Sequence, residues 1–163
     1  MEIVAGVITV SRRRASSHQS IADSLCRGLY RVIPEDRGIY QTLAVAVPAR
    51  CGMYTPDLLV APEPALKQPG TYIPASAAEL AIEITSRFDA NHDRVEKLHG
   101  YAAAGVPLYL LLDSWHSGRP AATLYGEPHS GMYRVLGIVE YGAPIHLPAP
   151  FDLTIDTGEF PVS

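Results

Sequence analysis

With 163 residues, 47% hydrophobic and 18% charged, the chain has the composition of one ordinary globular domain able to bury a real core. A formal charge of −4 argues against a generic basic nucleic-acid coat, but not against an enzyme acting on nucleic acid, because a carboxylate-rich metal site is itself acidic. Apolar runs such as LAVAV and LYLLL are far shorter than the roughly 20 residues that span a bilayer, so no membrane role is expected. The N-terminus carries its positive charge after the apolar stretch, the reverse of a secretory signal, which makes the cytoplasm the expected location. Cys26 and Cys51 lack CxxC spacing and read as free thiols.

In chain order, residues 2–10 (EIVAGVITV) read as a strand or half a hairpin, followed by the polar loop SRRRASSHQ. Ser16 or Ser17 can cap a helix over about 18–32, where Ile21, Leu25, Leu29 and Val32 recur at helical spacing. Residues 39–47 form a strand, then a turn near 49–52, then a strand at 55–61. The Pro-rich stretch 61–77 is an irregular surface excursion. Residues 79–85 make a further strand, and a helix over about 90–104 turns Val95, Leu98, Ala102 and Tyr101 inward. Gly105 stops that helix, and Pro107 leads into the fully apolar strand LYLLLD. Strand, helix and buried strand together predict a crossover between parallel strands. The segments ATLYGE, MYRVLGIVE and PIHLP complete a β-meander. The expected fold is α/β: a core of helix, three strands, helix and strand on a mixed sheet, with β additions at both ends.

The strand 79–85 holds a chemical oddity. In period two, Leu80, Ile82 and Ile84 face one side, while Glu79, Ala81, Glu83 and Thr85 face the other. Glu83 is therefore a carboxylate in a core strand, where an unpaired charge costs several kcal/mol. Asp57 stands at the start of a neighbouring strand, and Asp93, Lys97 and Tyr101 form one stripe of the following helix at i, i+4 spacing. Two carboxylates with a lysine in reach suit magnesium-assisted phosphodiester hydrolysis: hard oxygens hold the metal, and an ammonium positions the water. The chain has eleven arginines and two lysines, Lys67 and Lys97, so a lysine on this stripe stands out. Plainer readings exist for each residue. Asp57 can cap a turn, Glu83 can be an edge-strand charge, and Asp93–Lys97 can be a solvated helix pair.

The segments PDLLVAP, ELAIEITS and DRVEKLHGYAAAGVPLYLLLD, with EIVAGVI at the start and YGAPIHLPAPFDLTID at the end, resemble the Uma-type "putative restriction endonuclease" family of the PD-(D/E)XK nuclease-like superfamily. The resemblance implies a magnesium-dependent endonuclease acting on DNA, with manganese able to substitute. It implies Asp57 and Glu83 as metal ligands and Lys97 as the catalytic lysine, with a backbone carbonyl from Ile84. Asp93, Tyr101, Glu2 and His18 would support them. Where the superfamily pattern has its lysine, two residues past Glu83, this chain has Thr85. On the nuclease reading Arg12, Arg13 and Arg14 become phosphate contacts, and a homodimer would cleave both strands of a duplex. The competing reading is an inactive nucleic-acid- or protein-binding module on the same fold; a third is another phosphoester substrate. With no GxSxG elbow or phosphate-cradling glycine motif, no organic cofactor is expected.

Overall fold

The computed structural model describes residues 1–10, 15–67, 69–85, 91–115 and 118–161, the side chain of His92 excepted. The chain opens with a hairpin of β1 (Glu2–Val4) and β2 (Val7–Thr9). Its two-residue loop, Ala5 (φ 49°) and Gly6 (φ 79°), has the left-handed backbone of a type I′ turn, whose twist matches the flanking strands. Helix α1 follows at Ser16–Leu29, with Ala15 at its N-cap and no side-chain cap bond, so neither expected serine cap forms. Its apolar stripe Ile21, Leu25 and Leu29 is buried as the spacing requires.

Residues 39–47, expected as one strand, divide into β3 (Arg37–Gln41) and β4 (Ala44–Val47), which belong to different sheets. The break is at Thr42, held at φ 55°, where a β-branched residue leaves extended backbone at a steric cost. Strand β5 is Gly52–Tyr54 and β6 is Leu58–Pro62. The proline-rich excursion contains one short strand, β7 (Tyr72–Pro74), and then β8 runs over Leu80–Ile84. The second helical segment starts as a π-helix, His92–Lys97, and continues into α2, Leu98–Ala103. Strands β9 (Leu108–Asp113), β10 (Ala121–His129), β11 (Met132–Glu140), β12 (Ile145–Leu147) and β13 (Leu153–Ile155) complete the order.

The strands form a six-stranded sheet in the order β11-β10-β9-β8-β6-β3, a five-stranded sheet β2-β1-β5-β4-β7, and a β12-β13 pair. Both larger sheets are mixed. β8 runs parallel to β9 and antiparallel to β6, so it is a central strand. On one face of the six-stranded sheet Leu58, Val60, Leu80, Ile82 and Ile84 pack against α1 and the C-terminal segment. On the other, Leu59, Ala61, Ala81, Tyr109 and Leu111 pack against the five-stranded sheet and Tyr101 of α2. Each fully buried Leu or Ile contributes about 1.5–3 kcal/mol, which fixes the register of β8 and hence the face on which Glu83 points. Among the described residues, no helix is long and apolar enough to cross a membrane.

Candidate active site

Glu83 lies in the middle strand of the six-stranded sheet and is 2% exposed. It is not an edge charge. It shares the face of Ala81 with α2 and the second sheet, and that is where its compensation comes from. Lys97, 4% exposed, brings Nζ to 3.0 Å from Glu83 Oε1, 2.9 Å from Glu2 Oε1 and 3.2 Å from Asp93 Oδ1. The Tyr101 hydroxyl donates to Glu83 Oε1 at 2.9 Å. Glu2 arrives from β1, tied down by the Thr55 backbone N–H, which donates to its Oε1 at 2.6 Å. The pair Asp93–Lys97 is thus interior, with none of the solvation expected of an ordinary helix pair.

The helix turns its charged stripe inward and its valine outward. Val95 is 49% exposed, against the expectation that it would face the core. Asp93, Lys97 and Tyr101 are buried on one side of the helix, and Val95, midway between the two charged residues, falls on the other. The π-helical segment carries Asp93 and Lys97 and widens the turn at this point, a feature common at functional sites. The Tyr109 hydroxyl donates to the Asp93 carbonyl oxygen at 3.0 Å, fixing the segment from the sheet.

Asp57 sits just ahead of β6. The register Leu58↔Ile82 and Leu59↔Ala81, carried one step further, sets Asp57 opposite Glu83. Its N–H donates to the Ile82 carbonyl oxygen at 3.1 Å, and its Oδ2 accepts from the Ile84 N–H at 2.7 Å. His18, from the first turn of α1, places Nε2 2.9 Å from the same Oδ2. Asp57 therefore bridges strand to strand and strand to helix, which a turn cap would not do. Two adjoining clusters result, Glu2–Glu83–Asp93–Lys97–Tyr101 and His18–Asp57–Ile84, joined through consecutive residues of β8.

Electrostatics follow from crowding. Burial disfavours the charge on Glu83 and pushes its pKa up to about 8, with Lys97 pulling the other way and Asp93 and Glu2 adding to the rise. Burial also works against the charge on Lys97, but Glu83, Asp93 and Glu2 outweigh it and raise its pKa. One ammonium faces three carboxylates, so the cluster has surplus negative charge that a proton or a further cation can balance. Among the described residues, no group of three or more His, Cys, Asp or Glu has metal-binding geometry. What the protein offers is two carboxylates, Asp57 and Glu83, and the backbone of Ile84. That donor set fits magnesium, which takes one or two carboxylates and keeps its remaining positions for water and substrate oxygens.

Asp113 escaped the sequence reading. It ends β9, and the parallel register Glu83↔Leu111, Ile84↔Leu112 brings it beside Thr85. Its carboxylate accepts from Arg94 Nε at 2.6 Å and Nη2 at 2.9 Å, from Thr85 Oγ1 at 3.1 Å, and from the Trp115 N–H at 2.9 Å. Burial would raise its pKa, but Arg94, the Trp115 N–H and Thr85 outweigh that and lower it. Thr85, the residue standing where a lysine was expected, is thus engaged in fastening the π-helical segment to the sheet. An aspartate closing an apolar strand looks like a turn residue; only the parallel pairing exposes its role. Arg12, Arg13 and Arg14 lie outside the described residues.

Fold and site together define an α/β protein whose buried cluster combines acidic residues with a single lysine at the carboxyl ends of two parallel strands. The chain belongs to the family described as "Uma2: Putative restriction endonuclease", whose model matches residues 1–158. It is also similar in fold to a crystal structure described as "a putative nuclease belonging to DUF820" from Anabaena variabilis ATCC 29413. The TM-score is 0.73 at 17% identity, covering 98% of this chain and 88% of that one. No curated protein matches the chain.

Proposed function

We propose that the protein is a magnesium-dependent endonuclease that hydrolyses DNA phosphodiester bonds on a PD-(D/E)XK core of helix, three strands, helix and strand, assembled from α1, β3, β6, β8, α2 and β9. The observation that supports this most is the 3.0 Å approach of Lys97 Nζ to Glu83 Oε1 inside the protein, on the strand next to Asp57. Acid, acid and lysine are the groups this chemistry requires, and the lysine comes from the helix where Thr85 leaves the strand position without one.

On this reading Asp57 and Glu83 hold the metal, with the Ile84 carbonyl as a third oxygen, and manganese can replace magnesium. A bound magnesium ion supplies an acidified water and compensates charge on the phosphodiester. Lys97 orients the attacking water and stabilises developing negative charge. Tyr101, Glu2 and Asp93 hold that ammonium in place, and His18 fixes the Asp57 carboxylate. Arg12, Arg13 and Arg14 contact backbone phosphates, and a homodimer serves the two strands of a duplex. Incubation of the purified protein with supercoiled plasmid and magnesium should give nicked and linear products that EDTA abolishes and Glu83→Ala removes. Undiminished cleavage by Glu83→Ala would sink the assignment.

One observation favours the inactive-module reading: Lys97 is within 3.2 Å of three carboxylates, an arrangement that also serves as a purely structural ion cluster. Calorimetry separates the two. Magnesium binding that is lost in Asp57→Ala supports the nuclease; DNA binding with no magnesium heat supports the module.

A further inference from the structure

The two larger sheets have four end strands, and three of them carry features that keep sheet edges from pairing with other chains. β3 has Arg37 in ion pairs with Asp36 and Glu79, and β7 ends on Pro74. β11 carries Arg134, Glu140 and a register shift against Leu124 and Tyr125 of β10. β2 has none of these. It joins β1 alone, its register has no shift, and Val7–Val10 contains neither charge nor proline. Val7 is 62% exposed, Ile8 66% and Val10 79%, so both faces of this edge are apolar and open.

The hairpin decides which backbone groups are spare. Its two-residue loop makes Val4 and Val7 the bonded pair that closes it, so Ile3 and Ile8 face each other without bonds. The N–H and C=O of Ile8 therefore point at the free edge, and by the same alternation so do those of Val10. Antiparallel pairing of β2 with its own copy uses all of these groups in one register. Thr9 then stands across a two-fold axis from Thr9 of the partner subunit, and Ile8 lies opposite the partner subunit's Val10. Aliphatic side chains meet on one face and threonines on the other, both favourable cross-strand pairs. A charged partner finds no counterpart on this edge, whereas a second copy matches it group for group. We propose that the protein is a homodimer joined through β2, with the two five-stranded sheets continuous across the axis. Glu2 pairs with Thr9, so one row links the Glu2 residues of both acidic clusters across three strand gaps, roughly 15 Å between Cα atoms. Both clusters lie on one side of the joined sheet. The inference rests on the nuclease reading and gives its homodimer an interface.

Light scattering of the full chain at micromolar concentration should give a two-chain mass. Ile8→Lys, which sets an ammonium on the joined edge, should halve that mass and leave far-ultraviolet dichroism unchanged. Cysteine cross-linking reads the register, with Cys26→Ala and Cys51→Ser as the background. Thr9→Cys should form an interchain disulfide on mild oxidation, because unbonded antiparallel partners lie about 4.5 Å apart at Cα. Val7→Cys in the same background should remain a thiol, since its two copies are offset by four residues, roughly 13 Å. A one-chain mass for the parent, a two-chain mass kept by Ile8→Lys, or no disulfide at residue 9 overturns the proposal. Plasmid cleavage measured alongside keeps the two readings apart. A two-chain mass with the residue 9 disulfide but no cleavage leaves the interface and removes the nuclease; cleavage by a one-chain parent does the reverse.

Discussion

Lys97 and Glu83 lie on different elements, a π-helical turn and a central strand, and meet at 3.0 Å with both side chains almost fully buried. The pair explains how β8, a central strand, tolerates a carboxylate next to its carboxyl end. It also makes each partner costly to remove alone, because the survivor is left buried without its partner, either charged or forced neutral.

Replacement of Lys97 by Met should therefore destabilise the fold by about 3–5 kcal/mol at neutral pH, the usual cost of breaking a buried pair. Glu2, Glu83 and Asp93 would then crowd together without their ammonium. The double variant Lys97→Met/Glu83→Gln should recover part of the loss, since the remaining polar group can be neutral. Urea unfolding of both single variants and the double variant measures this; a double-variant loss equal to the sum of the two single losses would show that the pair is not coupled.

Gly100 permits the close approach that brings α2, and with it Tyr101, to the sheet. A Cβ at this position would run into the Tyr54 ring, and Tyr54 is itself fully buried, in edge-on contact with Tyr101 at 5.5 Å between centroids. Gly100→Ala should cost roughly 1–3 kcal/mol through overpacking, and shortening Tyr54 to Leu should relieve most of that cost. Thermal melts of the single and double variants would report the non-additivity.

Asp113 predicts a pH dependence. Its folded pKa lies below the ordinary carboxylate value. Its stabilising contribution is therefore complete above the unfolded pKa, near 4, and fades as the pH falls through the lower folded value. Asp113→Asn should melt earlier than the parent protein at pH 7, and the gap should narrow below about pH 4. A gap that does not change with pH would mean the carboxylate's charge contributes nothing.

Much of the site can be read in the chain itself. Period two puts Glu83 on the side of β8 away from Ile82 and Ile84, and i, i+4 spacing joins Asp93, Lys97 and Tyr101. Core packing enforces both patterns, so they survive in the structure. Other features depend on contacts distant in sequence. β1, β2, β5 and β7 have three residues each, too few for a periodicity to show, so the second sheet leaves no pattern in the sequence. Thr42 breaks residues 39–47 into two strands although nothing in a threonine marks a turn. Val95 looked like a core residue because aliphatic side chains usually are; here the charged stripe takes the interior, since the buried Glu83 needs its lysine. Asp113 becomes visible only through the parallel register that sets it beside Thr85.

The central claim is that a helix-borne lysine completes an acidic site whose own strand offers Thr85. Plasmid cleavage by Lys97→Met in magnesium, with native far-ultraviolet dichroism checked at the assay temperature, tests it most directly. The account predicts at least a hundredfold loss of rate in folded protein, the scale of removing one general acid–base or charge-stabilising group. Cleavage at the parent rate would contradict it.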